Sequence, residues 1–173
     1  MIPYGRQYID KEDIRAVSKA LKQEKLTTGP LVEKFEKKIS LFTGAKYTLA
    51  CNSGTSALYL AFQSIGIKRN DIVIMPSITF VSSYTISKIF QAKVYLADVD
   101  PLTGQMTPND VINCCKKFKL KKFKLLVLMY NGGYPLNADK FKKLKTKYNC
   151  TIIEDACHAL GATYKSKNKT YKI

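Results

Sequence analysis

Long apolar runs are missing from this 173-residue chain. No stretch approaches the roughly 18 apolar residues that a membrane-spanning helix needs. The opening, "MIPYGRQYIDKED", holds no apolar signal core, so secretion is not expected. Cysteine pairs at metal or redox spacing are also missing. The five cysteines, Cys51, Cys114, Cys115, Cys150 and Cys157, form no CxxC and are odd in number. That excludes a zinc knuckle or disulfide framework as the organising device and fits a reducing cytoplasm. Neither a Walker loop nor GxGxxG occurs, which disfavours a nucleoside triphosphate or a dinucleotide as ligand. Acidic residues are scarce, 13 against 29 basic ones, giving a net charge of +16.

What is present is a globular composition, 46% hydrophobic and 11% aromatic, enough for one folded core and unlike a disordered chain. The positive charge admits a polyanion or nucleic-acid partner. Its densest stretch is "KKFKLKKFK", Lys116 to Lys124, with Phe118, Leu120 and Phe123 interleaved. Either these aromatics stack on bases, or the lysines solvate a helix end while the apolar residues turn inward. The second reading needs no partner and is favoured, so nucleic acid is not expected.

Apolar periodicity alternates along the chain. Asp10 is placed to cap a helix over 11–25, with Ile14, Val17 and Leu21 on one face. A second helix carries Val32, Phe35, Ile39 and Phe42 and stops at Gly44. From there, five short apolar segments read as strands: "KYTLAC", "DIVIMP", "KVYLADV", "KLLVLMY" and "CTIIED". Helical patterns separate them. This predicts a three-layer α/β/α domain with a mostly parallel sheet. It divides the chain into a helical segment 1–44, an alternating strand/helix region 45–164 and a polar tail 165–173.

In such sheets ligands bind at the carboxyl ends of the strands. After the first segment, "NSGTSA" sets Gly54, Thr55 and Ser56 at a helix start, either as plain capping or as an anion cradle. "PSITF" delivers Phe80, as core or as a flat platform. "YNGGYP" is a turn that admits a ligand closely. "CTIIED" ends on Asp155, an acid at the inner end of a buried strand, which either sits in a wet loop or faces a cationic partner. A phosphate cradle, an aromatic face and a buried carboxylate meet the needs of pyridoxal 5'-phosphate. Its ring acts as an electron sink while the pyridine nitrogen stays protonated, and a carboxylate against that nitrogen keeps the proton on.

Six blocks, "IPYGRQYIDKEDI", "LTTGPLVEKFEKKI", "NSGTSALYLAF", "DIVIMPSITFVSS", "YLADVDPLTG" and "IIEDACHALGA", run in order from residue 2 to about residue 164. In these the chain resembles the N-terminal part of the DegT/DnrJ/EryC1/StrS sugar aminotransferases, fold-type-I pyridoxal-phosphate enzymes acting on nucleotide-linked keto sugars. The first and last blocks look closest to the subgroup serving pseudaminic acid biosynthesis. The resemblance implies that Asp155 holds the pyridinium nitrogen, that Gly54, Thr55 and Ser56 hold the phosphate, and that Phe80 stacks on the ring. It sets His158 beside the pocket, although a neutral, hydrogen-bonded core histidine is an equal reading. Tyr4, for which plain packing also serves, and Lys25, Leu26 and Thr27 would line the sugar-nucleotide side.

The reaction so implied moves an amino group from a donor such as glutamate to a 4-keto sugar nucleotide, in a homodimer for the complete protein. The family's cofactor-tethering lysine follows a Ser-Phe-His type strand that lies beyond these 173 residues. Residues 1–173 therefore name no catalytic residue and are expected to be inactive alone, with apolar sheet edge left to self-associate. A dehydratase of the same family differs at that lysine position and is not separated from it here. A non-catalytic interaction subunit and a basic polyanion-binding module are the rival readings.

Overall fold

The computed structural model describes residues 6–135, 138–166 and 168–173. It falls into two compact units, residues 1–50 and 51–173.

In the first unit, α1 spans Lys11–Ala20. Asp10 Oδ1 accepts the N–H groups of Glu12 (2.8 Å) and Asp13 (3.0 Å), and Asp13 returns the bond to the Asp10 N–H at 3.0 Å. This reciprocal cap satisfies donors that a helix start leaves open. The helix stops at Ala20, short of the expected Lys25. α2, Pro30–Thr43, starts with proline in its first turn and stops at Gly44 in a left-handed conformation (φ 78°). Gly29 sits so close to the preceding turn that a Cβ there would lie 2.9 Å from the Lys25 carbonyl oxygen. Val17, Leu21, Leu26, Leu31 and Val32 line an apolar hollow within this unit.

Residues 46–51, expected as a strand, form no ladder among the described residues. The apolar pattern is there, but among the described residues no strand pairs with it. Of their backbone donors, the Ala50 N–H bonds to the Glu36 carboxylate at 2.8 Å.

The second unit is built on four parallel strands, β1 (Ile72–Pro76), β2 (Lys93–Ala97), β3 (Leu125–Met129) and β4 (Thr151–Asp155), in the order β2-β1-β3-β4. Their strand-forming residues are continuously apolar in β1 and β3, as parallel strands covered on both faces require. Period-2 geometry then deals successive residues to opposite faces. Val73, Met75, Leu125 and Val127 pack with Leu58 and Phe62 of α3 (Gly54–Ile65) and Ile86 of α4 (Ser82–Ile89). Ile74, Leu126 and Leu128 pack on the other face with Val111 and Cys115 of α5 (Pro108–Lys117) and Leu144 and Tyr148 of α6 (Lys142–Tyr148). Truncating a fully buried anchor such as Phe62 costs about 3–5 kcal/mol in cores of this kind.

The result is the three-layer α/β/α arrangement. Phe123 is buried in the α5/α6 layer, its ring 5.1 Å from that of Tyr148, and Phe118 packs on Tyr95 at 4.9 Å. Of the aromatics in residues 116–124, Phe123 thus turns into the core, while Phe118 keeps 45% of its surface exposed beside Tyr95. The segment expected as a polar tail instead forms an antiparallel hairpin, β5 (Thr163–Ser166) with β6 (Lys169–Lys172). Its alternation brings Tyr164 and Tyr171 together at 5.3 Å on one face.

The strand order sets a switch point. From β1 the chain steps outward to β2, then crosses back to β3 on the far side of β1, and the covering helix changes face at the same step. Connections leaving β1 and β3 therefore diverge, and a crevice opens at their carboxyl ends.

Candidate active site

Asp155 closes β4 and is buried, with 5% of its surface exposed. Its Oδ1 accepts the Cys157 N–H at 3.2 Å, and its own carbonyl accepts the Tyr130 N–H at 3.2 Å. Among the described residues it has no cationic partner. An ionised carboxylate offers about four acceptor positions, so a buried one holding only the N–H and the thiol of Cys157 is left ready for a charged donor. The thiol of Cys157 lies beside the same carboxylate, and that contact, with burial second, pushes it up to about 11.

The start of α3 lies against this acid. A Cβ on Gly54 would come 3.2 Å from Cys157 Sγ. Ser53 is the helix cap: its hydroxyl oxygen accepts the Ser56 N–H at 3.1 Å and sits 3.0 Å from the Ser56 hydroxyl. The Gly54 and Thr55 N–H groups take no acceptor among the described residues. Thr55 Oγ1 pairs with Ser82 Oγ at 2.7 Å, tying α3 to the start of α4. In a pair of hydroxyls one donates to the other, which leaves the second proton for a ligand. Two free N–H groups at the positive end of a helix, with hydroxyls beside them, suit a phosphate.

Phe80 follows β1 and is 59% exposed, outside the core that was its alternative reading. Its N–H and the Thr79 hydroxyl both donate to Met129 Sδ at 3.3 Å. Met129 is the register partner of Asp155, so this loop lies over the end of β3 beside the acid. His158 is exposed, not a core histidine; its Nδ1 accepts the Gly132 N–H at 3.3 Å. Gly133 (φ +79°) is wedged against that loop: a Cβ would lie 2.5 Å from the His158 carbonyl oxygen. Buried Gln105 holds the same turn from the other side, Nε2 to the Asn131 carbonyl at 2.6 Å.

Gly54, Thr55, Ser56, Phe80, Asp155 and His158 therefore share one edge of the sheet. Lys25, Leu26 and Thr27 lie exposed in the turn between α1 and α2, in the first unit. Tyr4 lies outside the described residues. Sequence reasoning missed Ser53, Ser82 and Cys157. The pair Ser82-Ser83 inside an otherwise apolar segment was the available signal for the second; nothing in the sequence pointed to the cysteine contact. Tyr130, also missed, is buried at the end of β3 and donates to Glu154 Oε2 at 2.7 Å. Burial first, then that bond, raises its phenol far above the ordinary range.

The donor set fits pyridoxal 5'-phosphate: an uncompensated buried carboxylate for a protonated ring nitrogen, and open N–H groups one contact away for a phosphate. Comparison with known proteins agrees. The DegT/DnrJ/EryC1/StrS aminotransferase family matches residues 7–170. The UDP-4-amino-4,6-dideoxy-N-acetyl-beta-L-altrosamine transaminase of Campylobacter jejuni subsp. jejuni serotype O:23/36 (strain 81-176) is 37% identical over 173 residues, spanning 96% of this chain and 44% of that protein. Spr1654, a sugar aminotransferase candidate of Streptococcus pneumoniae, superimposes in its PMP form with a TM-score of 0.85 at 25% identity, covering 96% of this chain and 45% of that one. Its PLP form gives 0.83. Helicobacter pylori PseC, an aminotransferase involved in the biosynthesis of pseudoaminic acid, reaches 0.85 at 24% identity, a likeness of fold, over 99% of this chain and 44% of its own. The chain thus spans less than half the length of these proteins. On the match over residues 7–170, it belongs to the DegT/DnrJ/EryC1/StrS aminotransferase family, whose cofactor is pyridoxal 5'-phosphate.

Proposed function

We propose that the protein serves transamination of a nucleotide-linked 4-keto sugar in amino sugar biosynthesis, with glutamate or a similar amine as donor. Residues 1–173 would provide the phosphate, ring and nitrogen contacts of the cofactor. The observation that carries this reading is Asp155, buried without a cation among the described residues and close to an open helix start. The 37% identical Campylobacter jejuni transaminase, which its name ties to a UDP-linked amino sugar, supports the substrate class. Five free cysteines fit a cytoplasmic setting.

When bound, the cofactor supplies an electron sink for the carbon next to the transferred nitrogen. This chain's groups make that sink effective. The Asp155 carboxylate holds a proton on the ring nitrogen by charge and hydrogen bonding. The Gly54 and Thr55 N–H groups, backed by the Ser56 and Thr55 hydroxyls, fix the phosphate at the positive end of α3. Phe80 offers a face to the ring. His158, its Nδ1 already accepting the Gly132 N–H, would have Nε2 left for a ligand. Lys25, Leu26, Thr27 and Tyr4 keep, in this reading, the sugar-nucleotide role that the resemblance implies, and the complete protein acts as a homodimer.

The test is to titrate the purified chain with pyridoxal phosphate, then add glutamate and a UDP-linked 4-keto sugar. A polypeptide of residues 1–173 is expected to bind the cofactor without repeated turnover; absence of cofactor binding would sink the reading. Turnover would show that the groups described here suffice without a tethering lysine.

A further inference from the structure

The lysine-rich segment Lys116 to Lys124 is a motif that the cofactor reading leaves without a task. Its last residues line a hollow. At the amino ends of β1, β3 and β4, the edge of the sheet opposite Asp155, an open cavity of about 280 Å³ lies among the turns that lead into those strands. Its apolar lining is Phe123, buried in the core, and half-buried Ile72. Its donors are Lys122 and Lys124, on either side of Phe123 in sequence, and Asn70 and Asn149 from the neighbouring turns. Among the described residues neither ammonium group has an ion-pair partner and neither amide side chain has a hydrogen bond. The backbone that carries them is fixed. Lys124 donates its N–H to the Ile72 carbonyl at 2.8 Å and accepts the Thr151 N–H at 2.9 Å, and the Asn70 N–H bonds to the Gln91 carbonyl at 3.0 Å. Donors on a fixed backbone have less freedom to lose when they meet a ligand.

Charge is segregated at this edge, not scattered. The turns entering the four strands, residues 66–71, 90–92, 118–124 and 149–150, carry six cations and a single acid, Asp71. Asp71 also lines the hollow, with Oδ2 accepting the Lys68 N–H of its own turn at 2.8 Å. Two ammonium groups and two amides bring about ten N–H donors to one cavity. The volume sits at the small end of ligand pockets, which run from about 300 Å³ upward. A nucleic-acid strand would need an exposed ring to stack on, and Phe123, the ring at this hollow, is inside. We propose that the hollow is a second anion site, for a small ligand bearing a diphosphate group, with Lys122 and Lys124 as its charges and the Asn70 and Asn149 amides as its neutral donors. Two ammonium groups match two linked phosphoryl groups, each carrying charge, better than one. The site stands apart from the cofactor reading and does not rest on it.

Both asparagines stand in left-handed backbone, φ 67° at Asn70 and 51° at Asn149, a conformation that favours asparagine with or without a ligand. Glycine suits the same backbone, so Asn70→Gly and Asn149→Gly remove the amides and spare the turns. In the full chain, with pyridoxal phosphate present to fill the α3 start, inorganic pyrophosphate is titrated by calorimetry. Saturable one-to-one binding, about tenfold tighter than that of inorganic phosphate, is expected. Lys122→Glu with Lys124→Glu should lose measurable pyrophosphate binding and keep its pyridoxal-phosphate affinity. Asn70→Gly with Asn149→Gly should weaken pyrophosphate about tenfold at an unchanged thermal midpoint. Asp71→Asn should tighten it about threefold by removing a like charge. Uridine diphosphate in the same titrations separates free diphosphate from a nucleotide: the ligand with the larger lysine-dependent affinity is the one the site takes. Binding of neither that depends on the two lysines, wild-type affinity in the glycine pair, or looser binding in Asp71→Asn would overturn the site. So would duplex DNA bound in place of pyrophosphate with a steep salt dependence.

Discussion

The two ends of the sheet are chemical opposites. The segments at its carboxyl edge, residues 51–57, 77–81, 98–106, 130–135 and 156–162, contain no lysine or arginine. The segments at its amino edge hold Lys68, Arg69, Lys93, Lys119, Lys121, Lys122 and Lys124. Backbone bonds set several of these in one row: Lys93 faces Ile72 in register, and the Lys124 N–H donates to the Ile72 carbonyl at 2.8 Å. In a chain of net charge +16, the end that would bind a phosphorylated cofactor is the end without cations. On the proposed reading, the difference teaches that anion binding at the carboxyl edge would be a backbone property, made by a helix start and hydroxyls, while the lysines gather at the far edge. It also explains how Asp155 remains available: among the described residues no side-chain cation pairs with it.

That contrast can be broken most forcefully at Asp155. Asp155→Asn keeps the shape and removes the charge, and should weaken pyridoxal-phosphate binding about 100-fold, the scale of a lost charge-assisted hydrogen bond. Equilibrium titration by cofactor absorbance checks it; a change under twofold would erase the distinction between the edges. Next in size is Gly133→Ala. With φ +79° and a Cβ 2.5 Å from the His158 carbonyl oxygen, the substitution collides with the loop after β4. It should cost about 2–3 kcal/mol of stability in chemical denaturation, and an unchanged midpoint would show that the turn yields freely.

A smaller effect comes from pH. Burial pushes the Cys150 thiol up to about 11, and the Asp155 contact does the same for Cys157. Groups whose folded values lie above their unfolded ones add stability that is complete below about pH 9 and lost as pH rises toward 11. The thermal midpoint should therefore fall across pH 9–11, and a flat profile over that window would contradict the assigned surroundings. Least of all should the amino edge matter. Lys122→Glu with Lys124→Glu is expected to leave cofactor affinity within twofold and to shift stability by about 0.5 kcal/mol at low salt. A large loss of cofactor binding there would dissolve the comparison.

Much of this was legible in the residues because it depends on residue type at a local position. β1, β3 and β4 announce themselves as short apolar runs, and α2 by its proline start and glycine stop. Asp155 at a strand end and the "NSGTSA" helix start were legible as positions in the fold. What was hidden depends on pairing through space. Residues 46–51 have the composition of a strand, but a strand also needs a neighbour to bond. The hairpin of residues 163–172 alternates Tyr164 and Tyr171 with polar residues, yet its lysines make it read as a solvated tail. Cys157 looked like one more small residue in "EDACHA"; its contact with Gly54 exists only once α3 and β4 are packed together.

The central claim is that Asp155 keeps a proton on an aromatic ring nitrogen. The most direct measurement is the nitrogen-15 chemical shift of ring-labelled pyridoxal phosphate bound to the full chain at neutral pH. A protonated pyridine nitrogen in the wild type that becomes unprotonated in Asp155→Ala is the predicted result. An unprotonated nitrogen in the wild type, or the same shift in both proteins, would contradict it.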